Sequence, residues 1–363
     1  KEELPMKLKI QMKTCVLFVL LTLALSAGSA AAGTIIVDPA GGGDFDNIPE
    51  AVFHGTADDT VLVLPGFYEV ETGIPYPWPI LLDADSPVLV SQGGAALTLI
   101  FGGGLMPAFE VPDGTFGARA FIAGFKFQWL ETPLDWGYPT SGTVHFTDNI
   151  VEGCQTGVDV RMGQGLVARN VIEGPGICGI EAGHFEGVVE DNEVHGFKDG
   201  VTGTDGNTVI QRNHIHDNGI TGVGGFDNCI AIDNVVENNG WAGFSISFDA
   251  HLMGNVIRGN GTGVEFWGGP HNGFLNGNDI YDNVEFAVRS YCEEHIPYPP
   301  DFDATMNWWG TTDPDAIAAG IWDCHDSIWA AVCFVVEPWC TTPGCDATPA
   351  AAASWGAIKA MYR

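Results

Sequence analysis

The chain has 363 residues, enough for one large domain or two ordinary ones. Hydrophobic residues make up 45%, charged residues only 17%, and 49 residues are glycine, which argues against a disordered chain or a helical bundle and favours many short strands joined by tight turns. The formal net charge of −32 argues against a nucleic-acid partner and against binding to anionic membranes.

The first predicted segment is an export signal. Lys7, Lys9 and Lys13 precede an apolar run from Cys15 to Ala27, and the triplet from Ala30 to Ala32 suits the processing enzyme. The run is too short to span a bilayer comfortably, so we expect no membrane insertion. We therefore predict that residues 1–32 are removed and that the mature protein is secreted or held at the cell surface.

The next segment, residues 34–70, has the pattern of a strand, a short helix and a second strand. The helix is predicted from Asn47 to His54, where it would close one end of a repetitive core, because exposed ends of a repeat array need a cap. Further short strands are predicted at "PVLVSQ", "LTLIFGG" and "AFIAGFKFQW". Residues 129–142 are predicted to form a longer projecting loop.

Seven matching segments of about 21 residues follow. Each begins with an Asn, has Ile or Val two positions later and has an apolar residue three positions earlier; the Asn residues are Asn149, Asn170, Asn192, Asn213, Asn234, Asn255 and Asn278. This period predicts a solenoid, and the alternation of apolar and polar residues predicts strands. We predict that the Asn lies in a left-handed bend and that its amide bonds to the Asn of the next coil.

Cysteines mark the C-terminal part of the chain. Eight follow the export signal, and an even number in an exported chain predicts disulfides. The last four are predicted to staple the C-terminal end: Cys324, Cys333, Cys340 and Cys345. The predicted organisation is a solenoid over residues 33–320, a Cys-rich closing segment over 321–346, and a linker with a short tail over 347–363.

Three stretches carry a resemblance to known proteins: "VDPAGGGDFDNIPEAV" with "VLVLPGFYEV" near the start, the Asn-x-(Ile/Val) repeats, and "MNWWGTTDPDAIAAGIWD" over residues 306–323. They resemble the opening, the repeat and the terminal segment of exported bacterial pectin-lyase-like proteins. The resemblance covers about residues 34–340 and implies an all-β, single-domain, right-handed parallel β-helix. It fixes no function, because this fold carries lyases, hydrolases, epimerases, tailspikes and non-catalytic surface proteins.

The position three residues after each Asn is predicted to form an outward row with neighbours about 4.8 Å apart. The row contains Glu152, Glu173, His195, His216, Glu237, Arg258 and Tyr281, with Glu193 and His214 flanking it. Such groups can bind sugar hydroxyls and transfer protons, and the nearby Trp241 and Trp267 can stack on sugar rings. The alternative is a merely solvated face. The position before each Asn, from Asp148 to Asp233, alternates in charge and indicates a purely structural ladder.

Three functions therefore remain open. The leading hypothesis is a polysaccharide or cell-surface glycan bound on the lateral face, with Glu173, Glu193, His214, Tyr281, Trp241 and Trp267 as binding residues. The first alternative is a polysaccharide lyase, glycoside hydrolase or epimerase whose catalytic residues are His195, His216, Glu237 and Arg258. The second is a non-catalytic structural or adhesive surface protein.

The cofactor and partner predictions are less specific. The sequence specifies no cofactor; calcium is a candidate because it would bridge the acidic chain to an acidic glycan, and paired histidines could hold a transition metal. We expect a monomer. The stretch "FDAH", ending at His251, is similar to part of the Asp-Pro-His-Asp motif of alginate C5-epimerases, but it lacks the Pro and the final Asp.

Overall fold

The computed structural model describes residues 32–70, 77–104, 106–139, 141–203, 207–225, 229–247, 249–268, 273–292, 296 and 298–344. The chain divides into two units, residues 1–33 and 34–363, and the helices and strands of the described residues all belong to the second unit. The predicted export signal, apart from its last residue, lies outside the described residues, as do Cys345 and the predicted tail.

Two short helices lie near the two ends of the described chain, α1 (Ile48–His54) and α2 (Pro314–Ala319). The side chain of Asn47 caps α1, because its oxygen accepts a hydrogen bond from the Glu50 N–H at 2.9 Å. Helix α1 buries one face against the first two strands of the core, which confirms the predicted cap. Neither described helix combines the length and the apolar character that a membrane crossing requires.

Short strands make up most of the remaining described chain. The first sixteen are β1 (Thr34–Val37), β2 (Thr60–Val63), β3 (Gly66–Glu69), β4 (Ile80–Leu81), β5 (Val88–Ser91), β6 (Thr98–Phe101), β7 (Phe109–Glu110), β8 (Ala118–Ala123), β9 (Lys126–Gln128), β10 (Leu134–Asp135), β11 (Gly142–Thr147), β12 (Ile150–Glu152), β13 (Thr156–Asp159), β14 (Gln164–Ala168), β15 (Val171–Glu181) and β16 (Glu186–Glu190).

The second half continues in the same pattern. Its strands are β17 (Glu193–Thr202), β18 (Val209–Gln211), β19 (His214–His216), β20 (Thr221–Gly225), β21 (Cys229–Ile232), β22 (Val235–Glu237), β23 (Ala242–Ile246), β24 (Ala250–Met253), β25 (Val256–Arg258), β26 (Thr262–Trp267), β27 (Gly273–Asn276), β28 (Asp279–Tyr281), β29 (Phe286–Tyr291), β30 (Asp301–Asp303), β31 (Ile321–Trp322) and β32 (Cys333–Val335).

The strands stack into long parallel sheets that run the length of the molecule. Sheet A has 13 strands in the order β1-β2-β5-β8-β11-β14-β16-β18-β21-β24-β27-β30-β32, sheet B has 16, and a small sheet has the order β10-β7-β4. In the middle coils the chain passes from sheet A into a short strand of sheet B, such as β19, and then into a second strand of sheet B, such as β20. The fold is a right-handed parallel β-helix, as predicted.

The core is built of side-chain columns with one residue from each coil. The Ile or Val two positions after each repeating Asn is fully buried in all seven coils: Val151, Ile172, Val194, Ile215, Val236, Ile257 and Ile280. Full burial of such a side chain stabilises the fold by about 1.5–3 kcal/mol relative to its exposure. The column therefore confirms the inward direction that the repeat predicts.

The repeating Asn residues form a buried amide ladder, as predicted. The Oδ1 of Asn213 accepts from the backbone N–H of Asn192 at 3.0 Å, and its own amide donates to the Val189 carbonyl at 2.8 Å and to the Oδ1 of Asn234 at 3.0 Å. The same pattern runs from Asn149 to Asn278 and continues to Asn307. Each coil is therefore hydrogen-bonded to the next by side chains inside the core.

The prediction that the Asn itself has a left-handed conformation is wrong, because the left-handed residue lies one position earlier. The residue before the Asn has the positive φ, between 54° and 58° at Asp148, Arg169, Asp191, Arg212 and Asp233, and a Gly takes that position in the next two coils. The Asn instead supplies the acceptor that holds the backbone after the bend. The cost of a left-handed non-glycine residue, about 1–2 kcal/mol, is offset by the ladder bonds.

A second amide ladder was not predicted. Asn218, Asn239, Asn260 and Asn283 are linked in the same way, with backbone N–H to Oδ1 distances of 3.0–3.1 Å. The first ladder lies just before the short strands β19, β22 and β25, and the second ladder lies just after them. These strands, which carry the predicted outward row, are thus fixed at both ends.

The structure also corrects the prediction of a projecting loop at residues 129–142. Leu134 lies in β10, which pairs with β7, and the Leu130, Leu134 and Trp136 side chains are almost completely buried. Trp129, by contrast, is about half exposed. Most of this segment is therefore an additional packed layer over the core.

The cysteines only partly follow the predicted pairing. A disulfide joins Cys324 to Cys333, and Cys340 is also disulfide-bonded, which agrees with a stapled C-terminal end. Pairing is wrong for three cysteines that are buried as free thiols: Cys154, Cys178 and Cys292. They fill core positions as small apolar residues, a common use of cysteine. Burial raises the pKa of the Cys154 thiol to about 12 and also raises that of Cys178.

Candidate functional site

The strand register brings the predicted outward row together. Direct neighbours in adjacent strands are Glu152 and Glu173, then His195, His216, Glu237, Arg258 and Tyr281 in that order. We call six of these outward side chains the lateral row: Glu173, His195, His216, Glu237, Arg258 and Tyr281. The spacing follows from sheet B, because each coil contributes one residue and side chains of a strand alternate between the two faces.

One half of the lateral row is a linked set of charged groups around Glu237. The Glu237 carboxylate bonds to His214 Nε2 at 2.8 Å and accepts from Arg258 Nε at 2.6 Å, and Arg258 in turn donates to the Tyr281 hydroxyl at 3.1 Å. Burial alone raises the pKa of Glu237, but the bonds from His214 and Arg258 outweigh it and the net pKa is lowered. Glu237 is therefore held as a carboxylate that accepts hydrogen bonds.

The other half is a cluster of stacked imidazoles. The His216 ring lies 4.0 Å from the His214 ring and 4.8 Å from the His195 ring, centroid to centroid, with interplanar angles of 28° and 12°. The Nδ1 of His216 bonds to Asp217 at 2.7 Å, and its Nε2 lies 3.6 Å from an oxygen of Glu193. The predicted flanking residues Glu193 and His214 thus adjoin the row.

Two groups of described residues have the composition and spacing of metal ligands. In the first, one ligand atom each of Glu193, His195 and His216 lie within 4.8 Å of one another. The second contains Asp323, Cys324 and His325, but the Cys324 sulfur is in the disulfide and is not available as a thiolate ligand. The first group is therefore the better candidate for an ion.

The charge ladder beside the lateral row has the structural role that the sequence predicts. Arg169 makes two hydrogen bonds to Asp148, at 2.7 and 2.8 Å, and Arg212 makes two to Asp191, at 3.0 and 3.1 Å. These pairs join residues of successive coils on the exposed surface, where each contributes about 0–1 kcal/mol. They support the coil register.

Trp241 and Trp267 lie beside the second strands of sheet B. Trp241 precedes β23 and Trp267 ends β26, and their rings approach to 5.6 Å, with Tyr291 5.1 Å from Trp267. About a third of Trp241 and of Tyr291 remains exposed. The structure thus brings the two tryptophans into contact with each other and with a tyrosine that the sequence did not single out.

The same strands carry a buried carboxyl group that sequence reasoning missed. Glu265 lies between the inward residues Val264 and Phe266, so its side chain points outward, yet it is completely buried. Its register partner Arg289 donates two hydrogen bonds to Oε1, one of them from Nε at 2.8 Å. The other oxygen, Oε2, has no hydrogen-bond partner among the described residues. Burial raises the pKa of Glu265, and the bonds from Arg289 offset only part of this rise.

His251, the last residue of the "FDAH" stretch, is not on the same sheet as the lateral row. His251 lies in β24 of sheet A, where its ring contacts Phe274 at 4.9 Å, and burial lowers the pKa of its imidazole. Phe248 lies outside the described residues.

The chain is similar to known proteins at the level of the fold. Residues 138–293 match the family model described as a right handed beta helix region. The A-module of the Azotobacter vinelandii mannuronan C-5 epimerase AlgE6 is 16% identical, with a TM-score of 0.54 over 82% of this chain and 94% of that chain. The catalytic domain of a GH87 alpha-1,3-glucanase in complex with nigerose is 12% identical, with a TM-score of 0.44 over 86% of this chain and 69% of that chain. A search of curated proteins finds no match. The coil register and the family match agree that the chain has the right-handed parallel β-helix fold.

Proposed function

We propose that the chain is an exported protein that binds polysaccharide along the lateral row. The observation that carries this proposal is the regular array of imidazole, carboxylate, guanidinium and phenol groups on successive coils. A polysaccharide is a chain of sugar units that carry hydroxyl groups. A linear array of hydrogen-bond donors and acceptors along the helix axis is complementary to such a chain.

The names of the structural neighbours agree with a carbohydrate partner. One acts on mannuronan and another was solved with nigerose, although likeness at 12–16% identity concerns the fold. The net charge of −32 favours neutral over acidic polysaccharides, because it repels an acidic polymer unless a divalent cation such as calcium bridges the two. We therefore expect neutral polysaccharides to bind without added cations and acidic ones to require them.

Affinity electrophoresis through gels containing neutral or acidic polysaccharides tests this function, with and without calcium. Arg258→Ala should weaken retention about tenfold or more, because a hydrogen bond to a charged group contributes about 1.5–3 kcal/mol. Arg169→Ala is the matched control, since both arginines are a little under half exposed and each is bonded to a carboxylate of the preceding coil. Retention of no polymer, or equal retention of the two variants, would contradict the proposal.

A second candidate function, a polysaccharide-active enzyme, is favoured by Glu265. A buried carboxyl group with a raised pKa can remain protonated closer to neutral pH and act as a general acid, whereas Glu237 is held ionised. The aromatic group of Trp241, Trp267 and Tyr291, which lies on the strand of Glu265 and beside it, could stack on a sugar ring.

A turnover assay separates this enzyme from a binding protein. The protein would be incubated with the same polymers, and reducing ends, unsaturated products and, by NMR, epimerised residues would be measured. Turnover abolished by Glu265→Gln would place the reaction at the buried carboxyl. Turnover abolished by Glu237→Gln and retained by Glu265→Gln would place it on the lateral row. A protein that neither retains nor converts any polymer would fit the structural or adhesive alternative.

A further inference from the structure

We propose that Glu193, His195 and His216 form a binding site for a transition-metal ion, with Zn²⁺ as the ion that best fits the donor set. The proposal rests on the geometry of these three side chains and does not depend on polysaccharide binding. Metal binding and glycan retention are measured separately, so either can fail alone.

The strongest observation is the direction of the His216 lone pair. Since an ionised carboxylate only accepts hydrogen bonds, the 2.7 Å contact with Asp217 places the imidazole hydrogen on Nδ1. In the neutral ring, Nε2 then carries a lone pair. This atom is buried, has no hydrogen-bond partner among the described residues, and faces a Glu193 oxygen at 3.6 Å. A lone pair directed at a carboxylate is unfavourable unless a cation lies between the two groups.

The surroundings of His216 support an ion at this point. A carboxylate on the second nitrogen of a ligating histidine is the usual outer-shell arrangement, because it fixes the ring orientation and raises ligand basicity. The ring is also held between the His195 and His214 rings, and only 15% of the side chain is exposed. Glu193 is about half exposed, so its carboxylate can rotate towards the histidines.

The donor set selects the kind of metal. Two imidazoles and one carboxylate are borderline ligands that suit zinc and its neighbours, whereas calcium requires six to eight oxygen ligands. Ligand atoms around a tetrahedral zinc lie about 3.4 Å apart, and the three atoms here lie within 4.8 Å of one another before any ion is bound. Rotation of the Glu193 carboxylate, and of the two imidazoles out of their stacked arrangement, would bring these atoms to that spacing and leave one open position for water or a hydroxyl group.

The lateral row elsewhere pairs its charges differently. The Arg258 guanidinium donates to the Glu237 carboxylate and to the Tyr281 hydroxyl, so each of these two acceptors has a donor. At His216, by contrast, Nε2 is buried without a hydrogen-bond partner among the described residues and lies 3.6 Å from a Glu193 oxygen. A cation at Nε2, either a bound metal ion or a proton, accounts for this contact, and metal titration distinguishes the two.

The test is titration of the purified, metal-stripped full chain, without an affinity tag, with Zn²⁺ in a calorimeter. Binding of Co²⁺ in the same site is followed by its visible absorption, which reports tetrahedral geometry. We expect one ion per chain, affinity reduced by at least about 100-fold in His216→Ala and in Glu193→Gln, and by about tenfold in Asp217→Asn. Millimolar Ca²⁺ should not displace the ion.

The controls separate this site from other histidines. His54→Ala on helix α1 and His325→Ala in the second ligand group each remove one imidazole elsewhere and should leave the affinity unchanged. Circular dichroism confirms that each variant is folded, and Glu193→Gln, at a half-exposed position, preserves the test if a histidine variant unfolds. Absence of binding at about 100 µM Zn²⁺, or equal affinity of wild type and Glu193→Gln, would overturn the proposal and leave a proton as the cation at His216.

Discussion

The buried amide ladder makes each coil depend on a side chain of the next, and the substitution Asn213→Ala measures that dependence. The change removes the Oδ1 that accepts the Asn192 backbone N–H at 3.0 Å and the amide that donates to the Val189 carbonyl at 2.8 Å. Alanine keeps the β-carbon and leaves the following strand β19 unchanged in sequence, so the main loss is of hydrogen bonds inside the core.

The expected cost follows from the groups that lose a partner. The Asn192 amide side chain keeps its bond to the Val167 carbonyl, and the Oδ1 of Asn234 keeps the Asn213 N–H. The Asn192 backbone N–H is left without its acceptor, and the Val189 carbonyl loses one donor. Each buried group that loses its partner costs about 1–3 kcal/mol, so we expect a loss of about 3 kcal/mol in the free energy of unfolding.

Urea unfolding, followed by far-UV circular dichroism and by tryptophan fluorescence, provides the measurement. The control is Gln164→Ala, which also removes a side-chain amide but at an exposed position with one bond to Glu186 at 3.1 Å. It should change the free energy of unfolding by less than about 0.5 kcal/mol. If Asn213→Ala costs less than about 1 kcal/mol, or no more than Gln164→Ala, the ladder does not hold the coils together.

Three further outcomes are expected. The folded pKa of Glu237 lies below its ordinary value of 4.5, so its stabilisation is present above that pH and is lost as the pH falls; the stability difference between wild type and Glu237→Gln should shrink between pH 7 and pH 3 in urea titrations. The folded pKa of Glu265 is raised instead, so the stability that this group contributes falls as the pH rises above 4.5. Glu265→Gln should therefore gain stability relative to wild type from pH 4 to pH 7, and the opposite slope would show that the folded pKa is not raised. Mass spectrometry after thiol labelling should find three cysteines unmodified in the native protein and modified in denaturant, namely Cys154, Cys178 and Cys292.

The period of the sequence was enough to predict the coils, the core column and the lateral row. Once one Asn of each coil is aligned, the two-residue alternation of strands fixes which side chains point inward and outward. This is why His195, His216 and Glu237 are neighbours, as expected. The period alone does not give the backbone angle of one residue. The position with left-handed backbone holds Asp, Arg or Gly, and these residue types have no common property that would mark it in the sequence.

Other features depend on contacts between side chains that a repeat does not encode. The second amide ladder contains only four Asn residues, too few to stand out beside the first. The burial of Glu265 could not be read from its outward position, because coverage of that position depends on what packs over the sheet. The count of cysteines likewise suggested pairing, whereas three of them serve as apolar core residues.

The two amide ladders also bear on why the histidines are there. Asn213 and Asn218 hold the backbone on either side of β19, and Ile215 fills the core between His214 and His216. The register between coils is therefore fixed without the outward side chains. Where outward side chains do support the register, as in the neighbouring charge ladder, they are pairs of opposite charge. A neutral His216, whose Nε2 faces the Glu193 carboxylate, is not such a pair and does not support the register in this way. The fold accounts for the position of the histidines, and the metal site that we propose would account for their identity.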